Sequence, residues 1–101
     1  VTSDVASVGW RVATAVSGLS DIDRLSSGPF GALCTPVPGG RIEGVSLRDG
    51  RILVGVVARL GRPLPEVAAD VHNAVREVVS DRRVHVSIED VTPAPTGSLP
   101  G

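Results

Sequence analysis

The stretch Arg41-Ile-Glu-Gly-Val-Ser-Leu-Arg-Asp-Gly-Arg-Ile-Leu-Val-Gly-Val-Val-Ala-Arg-Leu60 decides the fold. Asp49-Gly50 is the dipeptide of a two-residue hairpin turn, in which both central residues take positive φ. The pattern predicts one strand over Arg41–Leu47 and a second over Ile52–Leu60. In the second strand Ile52, Val54, Val56 and Ala58 point one way and Leu53, Gly55 and Val57 the other. A sheet with one wet face would carry polar residues in one of those sets. Both faces should therefore be covered. Helices take one face; residues 20–40 or a second copy of the chain take the other. Leu53 and Val57 are accordingly candidate partner-contact residues.

Helical periodicity flanks this hairpin. On the N-terminal side Val5, Val8, Val12, Ala15, Val16 and Leu19 recur at spacings of three and four, with Thr2 or Ser3 as N-cap. On the C-terminal side Gly61-Arg-Pro-Leu-Pro65 breaks the strand and opens a helix from about Pro65 to Val79, with Val67, Val71, Val75 and Val78 as its stripe. Ser80-Asp-Arg82 is a turn. Val84, Val86 and Ile88 then alternate with His85, Ser87 and Glu89 as a third strand with one buried face. The order is α-β-β-α-β. The expected class is α+β, with two helices packed on one face of a three-stranded sheet. The third strand runs in the same direction as the second and lies either beside the first, the preferred placement, which makes the sheet antiparallel, or beside the second, which makes it mixed.

Residues 20–40 are rich in turn formers but hold Ile22, Leu25, Phe30, Leu33 and Val37. Those side chains should pin the segment, with a short helical turn around Ile22–Leu25. Residues 1–91 form the expected domain, and 92–101 a disordered Pro/Gly-rich tail. The chain starts at Val1, so a preceding N-terminal piece is expected to be missing.

Composition narrows the function classes. Hydrophobic residues make up 42% of 101, dominated by 18 Val, with one Trp and one Phe, so small β-branched side chains must fill the core. Net charge is −1, which argues against a broad electrostatic grip on nucleic acid. All ten basic residues are Arg. One Cys excludes an intrachain disulfide and a Cys-rich zinc site, and fits a reducing compartment. No apolar run approaches the roughly 20 residues of a membrane span, so direct membrane insertion is not expected. No signal peptide is visible.

Catalytic constellations are not expected. His72 and His85 have no carboxylate at relay spacing and fit surface or boundary positions. Cys34 fits a small buried hydrophobe. Asp21 and Asp23 flank Ile22 in turn sequence, and Glu89 and Asp90 should point to opposite faces of a strand. Gly28-Pro-Phe-Gly31 matches a GXXG formally, but lies in a neutral segment, whereas the nucleic-acid clamp of KH modules is a basic loop between helices. No catalytic residue, cofactor or metal is assigned.

Two features point to partners. Trp10 lies opposite the apolar stripe of the first helix, on the side of Ala6, Ala13 and Ser17. It either anchors a second subunit or partner helix, or is lidded by Phe30 or Pro36 from the 20–40 segment. The hairpin turn carries Arg48 and Arg51, and the third strand should begin beside it and bring Arg82 and Arg83 there. Asp49 and Asp81 lie among them. The arginine set is either solvated charge or a contact for an acidic partner or anionic lipid.

With these elements in place the chain resembles the alkaline shock protein family, small bacterial envelope-stress proteins. Val12-Ala-Thr-Ala-Val-Ser-Gly-Leu19 resembles the end of that family's first helix, and Arg41-Ile-Glu-Gly-Val-Ser-Leu-Arg-Asp-Gly-Arg-Ile-Leu-Val54 its hairpin. Arg59-Leu-Gly-Arg-Pro-Leu-Pro-Glu-Val-Ala68 resembles its entry to the second helix. Val71–Val79 and Val84–Val91 resemble its last helix and strand. The match spans about residues 5–91, and Arg without Lys suits an actinobacterial member. The resemblance implies a non-enzymatic cytoplasmic protein that forms homo-oligomers and sits at the inner face of the membrane through a membrane-anchored partner. Pro and Gly in residues 20–40, and the short turn Ser80–Arg83, depart from the family pattern. The alternative is a small KH-like nucleic-acid-binding module, suggested by the element order alone.

Overall fold

A computed structural model describes the backbone of residues 2–93 and the side chains of residues 5–93. The backbone is already helical at Thr2 and Ser3, the expected N-cap positions, while their capping side chains and the tail from residue 94 onward lie outside the described residues. The order is α1 (Thr2–Ser17), β1 (Ile22–Leu25), β2 (Cys34–Val37), β3 (Gly40–Glu43), β4 (Val45–Arg48), β5 (Arg51–Arg59), α2 (Leu64–Val78) and β6 (Arg83–Thr92).

The class is mixed α+β, but the expected three-stranded sheet is not what forms. Six strands make two sheets: a four-stranded one built on β5 and a two-stranded ribbon of β2 and β3. Three local causes account for the difference. The segment around Ile22–Leu25 is a strand, not a helical turn, and pairs antiparallel with the second half of β5. The strand expected over Arg41–Leu47 is cut in two at Gly44, whose φ of 80° puts it in the left-handed region. Its first part pairs back on Cys34–Val37, and its second part pairs with the first half of β5, from Val45↔Val54 to Arg48↔Arg51. The third correction concerns β6, which runs parallel beside β5 along its whole length, from Arg51↔Arg83 to Arg59↔Thr92, giving a mixed sheet. Thr92, assigned above to the tail, is the last residue of that strand.

β1 and β4 thus share one edge of β5, and the change-over falls at Gly55. Gly55 N–H donates to the Gly44 carbonyl, while its own carbonyl accepts from Ser26 N–H at 2.8 Å. A Cβ on Gly55 would lie 2.3 Å from the Ser26 carbonyl oxygen and 2.9 Å from Leu33 Cδ1; one on Gly44 would lie 2.7 Å from Leu25 Cβ. These two glycines let three backbone segments meet at one point.

Ile52, Val54, Val56 and Ala58 form one buried cluster with Val12 and Val16 of α1 and Val67, Val71 and Val75 of α2. At roughly 1.5–3 kcal/mol per fully buried aliphatic side chain, this cluster is the main source of stability. The helical stripe of α1 is turned relative to the expected one: Val5 is 40% exposed and Ala13 is buried. On the opposite sheet face Val57 is 2% exposed and Leu53 half-buried. Leu33 covers Gly55 there, and Ser26, Gly28 and Pro29 share a hollow with Val57. The 20–40 segment, not a second copy, therefore occupies the Val57 part of that face.

Arg62 joins the β5–α2 link to the start of α2 and to β1. It donates to Asp21 and Asp70 at 2.6 Å each and to Glu66 at 3.4 Å. Its hydrogen bonds to Asp70 first and then to Asp21 raise its pKa above the usual arginine value. Asp23 accepts from Arg24 and Arg59, so both carboxylates of this pair are structural ion-pair partners.

If the strand change-over depends on Gly55, Gly55→Ala should lower stability by about 2 kcal/mol or more, as overpacking against backbone does. Gly40→Ala, with nothing within 4 Å of the new Cβ, should be close to neutral. Urea midpoints that fall equally for both variants would contradict the packing.

Candidate functional site

The first candidate surface is built around Trp10. α1 buries Val12, Ala13 and Val16, which leaves Trp10 on its flank at 53% exposure. The lid expected from Phe30 or Pro36 does not form: Phe30 is 93% exposed and Pro36 is exposed. Hollows open on both sides of the indole. One of about 570 Å³ runs past Ala13, Ser17, Leu25 and Ile42 to the paired Arg41 and Glu43. The other, about 350 Å³, is lined by Arg11, Thr14, Ala15 and Val78. Small residues on α1 create the room, and charged groups rim it. Arg41 Nε donates to Glu43 at 2.7 Å, and Arg11 caps the end of α2 by donating to the Val78 carbonyl. The Glu43 carboxyl is held below its usual range, first by Ser27 and then by the Arg41 charge.

The second surface is the arginine end of the sheet. Strand register sets Arg48, Arg51 and Arg83 side by side across β4, β5 and β6. Arg83 N–H donates to the Gly50 carbonyl at 3.1 Å, which docks the start of β6 on the hairpin turn. A cleft of about 480 Å³ is lined by Arg51, Arg82 and Arg83 together with Arg76, Asp49 and Asp81. Sequence reasoning brought together all of these except Arg76. Its signal is its position in the last turn of α2, the turn that leads into Ser80–Arg83. Among the described residues Arg24, Arg41, Arg59 and Arg62 pair with carboxylates, whereas Arg48, Arg51, Arg76, Arg82 and Arg83 make no ion pair. Arg48 donates to Ser46 instead. Guanidinium groups without an ion pair, exposed at Arg48, Arg51, Arg76 and Arg83 and half-buried at Arg82, are suited to bidentate contact with an acidic group, although Asp49 and Asp81 share the cleft.

A further hollow of about 350 Å³ corrects the reading of Glu89 and Asp90. A bulge in β6 breaks the register between Val56↔Ile88 and Val57↔Asp90. Both carboxylate residues therefore line the same hollow, with Arg24, Ser26, Gly28 and Val57. Ser87 donates to Glu89. Gly28-Pro-Phe-Gly31 lies between β1 and β2 and is not flanked by helices. His85 is exposed on β6, His72 half-buried on α2 and Cys34 half-buried on β2. No group of metal-ligating side chains occurs among the described residues, and no described helix is long and apolar enough to cross a membrane.

In comparison with known proteins, the chain matches no family model, no curated protein and no solved structure.

Like charges directly opposite across strands are destabilising. Replacing the middle member of the arginine row, Arg51→Glu, should therefore raise the melting temperature in low salt. The gain should shrink in 1 M salt, where the screening length is about 3 Å. A variant less stable than the parent at low salt would contradict the side-by-side register.

Proposed function

We propose that this chain is a non-enzymatic structural or interaction protein of the bacterial cell-envelope stress response. It self-associates in the cytoplasm and is held at the inner face of the membrane by a membrane-anchored partner. The resemblance to alkaline shock proteins supplies the biological setting. The observation that carries the interaction role is Trp10: a single indole, half exposed, between two hollows that its own fold leaves unfilled. Tryptophan in such a position is the side chain that most often dominates an interface. Its apolar flanks, Ala13, Ala15, Leu25 and Ile42, can accept an apolar helix face, while Arg11, Arg41 and Glu43 offer a polar rim. The arginine end is a separate surface that suits an acidic segment of a partner.

Trp10 is the only tryptophan, so its fluorescence reports on this surface alone. In the dilute protein the emission should be red-shifted and readily quenched by iodide or acrylamide. With 5-fluorotryptophan incorporated at Trp10, whose fluorine signal is distinct from the tryptophans of other proteins, the resonance should shift and broaden when solubilised membrane proteins of the source cell are added. Trp10→Ala should weaken capture of the membrane-anchored partner by about 30-fold, the equivalent of ~2 kcal/mol. A blue-shifted, quencher-resistant signal in the dilute protein, or capture unchanged by Trp10→Ala, would remove Trp10 as the anchor.

A further inference from the structure

Among the described residues, β6 is the longest strand and has a partner on one side only. Its inner edge is taken by β5 from Arg83 to Thr92. Among the described residues, no other strand pairs with its outer edge, and backbone bonds outside the sheet reach only its two ends, at Arg83 and Thr92. The exposed peptide groups of such an edge are a template for another strand. Natural edges are commonly blunted by Pro, Lys or a bulge. Here Pro and Lys are absent from residues 83–92, and the bulge comes only at Glu89, which leaves the edge regular from Arg83 to Ile88.

The side chains along this edge are self-complementary. Val84, Val86 and Ile88 stand opposite Ile52, Val54 and Val56 on the helix-covered face, yet each remains half-buried, with no strand of the described residues beyond them. Arg83, His85 and Ser87 stand on the other face, and Glu89 joins them, with its Cγ 3.5 Å from where a Gly55 Cβ would lie. A second β6 laid antiparallel about a two-fold axis at Val86 puts Val86 opposite Val86, Val84 opposite Ile88, His85 opposite Ser87 and Arg83 opposite Glu89. Apolar meets apolar on one face, and on the other each arginine meets a carboxylate, twice by symmetry. A shift of one residue sets the apolar face of one copy against the polar face of the other. A shift of two that centres the axis on His85 loses both charge pairs and leaves Ile88 without a partner. One that centres it on Ser87 moves the bulge at Glu89 from the end of the ladder, where it faces Arg83, to its interior, where it faces His85.

We propose that the outer edge of β6 is the self-association surface, and that its occupant is β6 of a second copy, antiparallel and centred on Val86. Two copies then share one continuous sheet, four strands from each. This rests on the self-association proposed above and assigns it to an element other than the Trp10 surface.

The charge pairs give a test with its own control. In Arg83→Glu each pair becomes carboxylate against carboxylate; in Glu89→Arg each becomes guanidinium against guanidinium. Mixed, the two variants regain both pairs, since one copy then brings a carboxylate at both positions and the other a guanidinium at both. Sedimentation equilibrium of the full chain should show a wild-type dimer and dissociation constants raised about tenfold or more in each variant. The equimolar mixture should return to within about threefold of the wild type. Trp10→Ala should leave the dimer intact. Val86→Lys, which sets two ammonium groups on the axis, should be monomeric while keeping its circular dichroism, and it provides the test if a charge reversal unfolds the chain. A wild type that dimerises while the reversals have no effect, a mixture no tighter than its components, or a dimeric Val86→Lys would overturn the β6 assignment and leave self-association standing. A wild type that stays monomeric at millimolar concentration would overturn both.

Discussion

The hydrogen-bond ladder along both edges of β5 is the constraint on which the other elements depend. One edge is taken whole by β6 and the other is divided between β1 and β4. The division is possible because Gly44 and Gly55 have no Cβ where Leu25, Ser26 and Leu33 converge. Ile52, Val54, Val56 and Ala58 then give both helices a single surface to cover, while Val57 is buried on the reverse side. Few large side chains are available in this chain, so exclusion of water rests on many small Val contacts around one strand rather than on a few aromatic anchors.

The same ladder sorts the charges. At the end of β5 near Arg59, arginines are neutralised by Asp21, Asp23, Glu66 and Asp70, which tie the β1 and α2 ends together. At the other end, register places Arg48, Arg51 and Arg83 in a row with no carboxylate partner. Like charges set side by side without an ion pair are chemically suited to an external anion, the contact proposed above. Trp10 stands apart on α1, whereas the outer edge of β6 begins at Arg83, which also belongs to the arginine row. In the function proposed above, these surfaces would serve an apolar segment, an acidic segment and another copy of the chain, with Arg83 common to the last two.

The hairpin, α2 and β6 were legible because each rests on a local rule. Asp49-Gly50 demands its turn, with Asp49 at φ 47°, and Val67, Val71 and Val75 lie on one helical face. The meeting of Arg82 and Arg83 with the turn followed from those elements alone. What was not legible is long-range. Ile22–Leu25 is too short to announce itself as a strand and becomes one by finding the free half of β5. Gly44 sits inside an apparently continuous strand, and only its crowding against Leu25 and Ser26 shows why the chain must bend there. The position of β6 beside β5 instead of β4 follows once β4 and β1 have filled the other edge. Trp10 was placed correctly on the outer flank of α1, whereas Ala13, assigned to that flank, is buried because the helix is turned toward Ile42 and Val45.

The central claim, that β5 holds the fold together, is open to amide hydrogen exchange followed by NMR. If β5 holds the fold together, the Ile52, Val54, Gly55, Val56 and Ala58 amides should exchange slowest among the described residues, with opening free energies equal to that of global unfolding. Those of β1 and of the β2–β3 ribbon should exchange through smaller openings. If the amides of Val71 and Val75 in α2 are protected to the global limit while those of β5 exchange through a smaller opening, the helices and not the central strand hold the structure, and the account is contradicted.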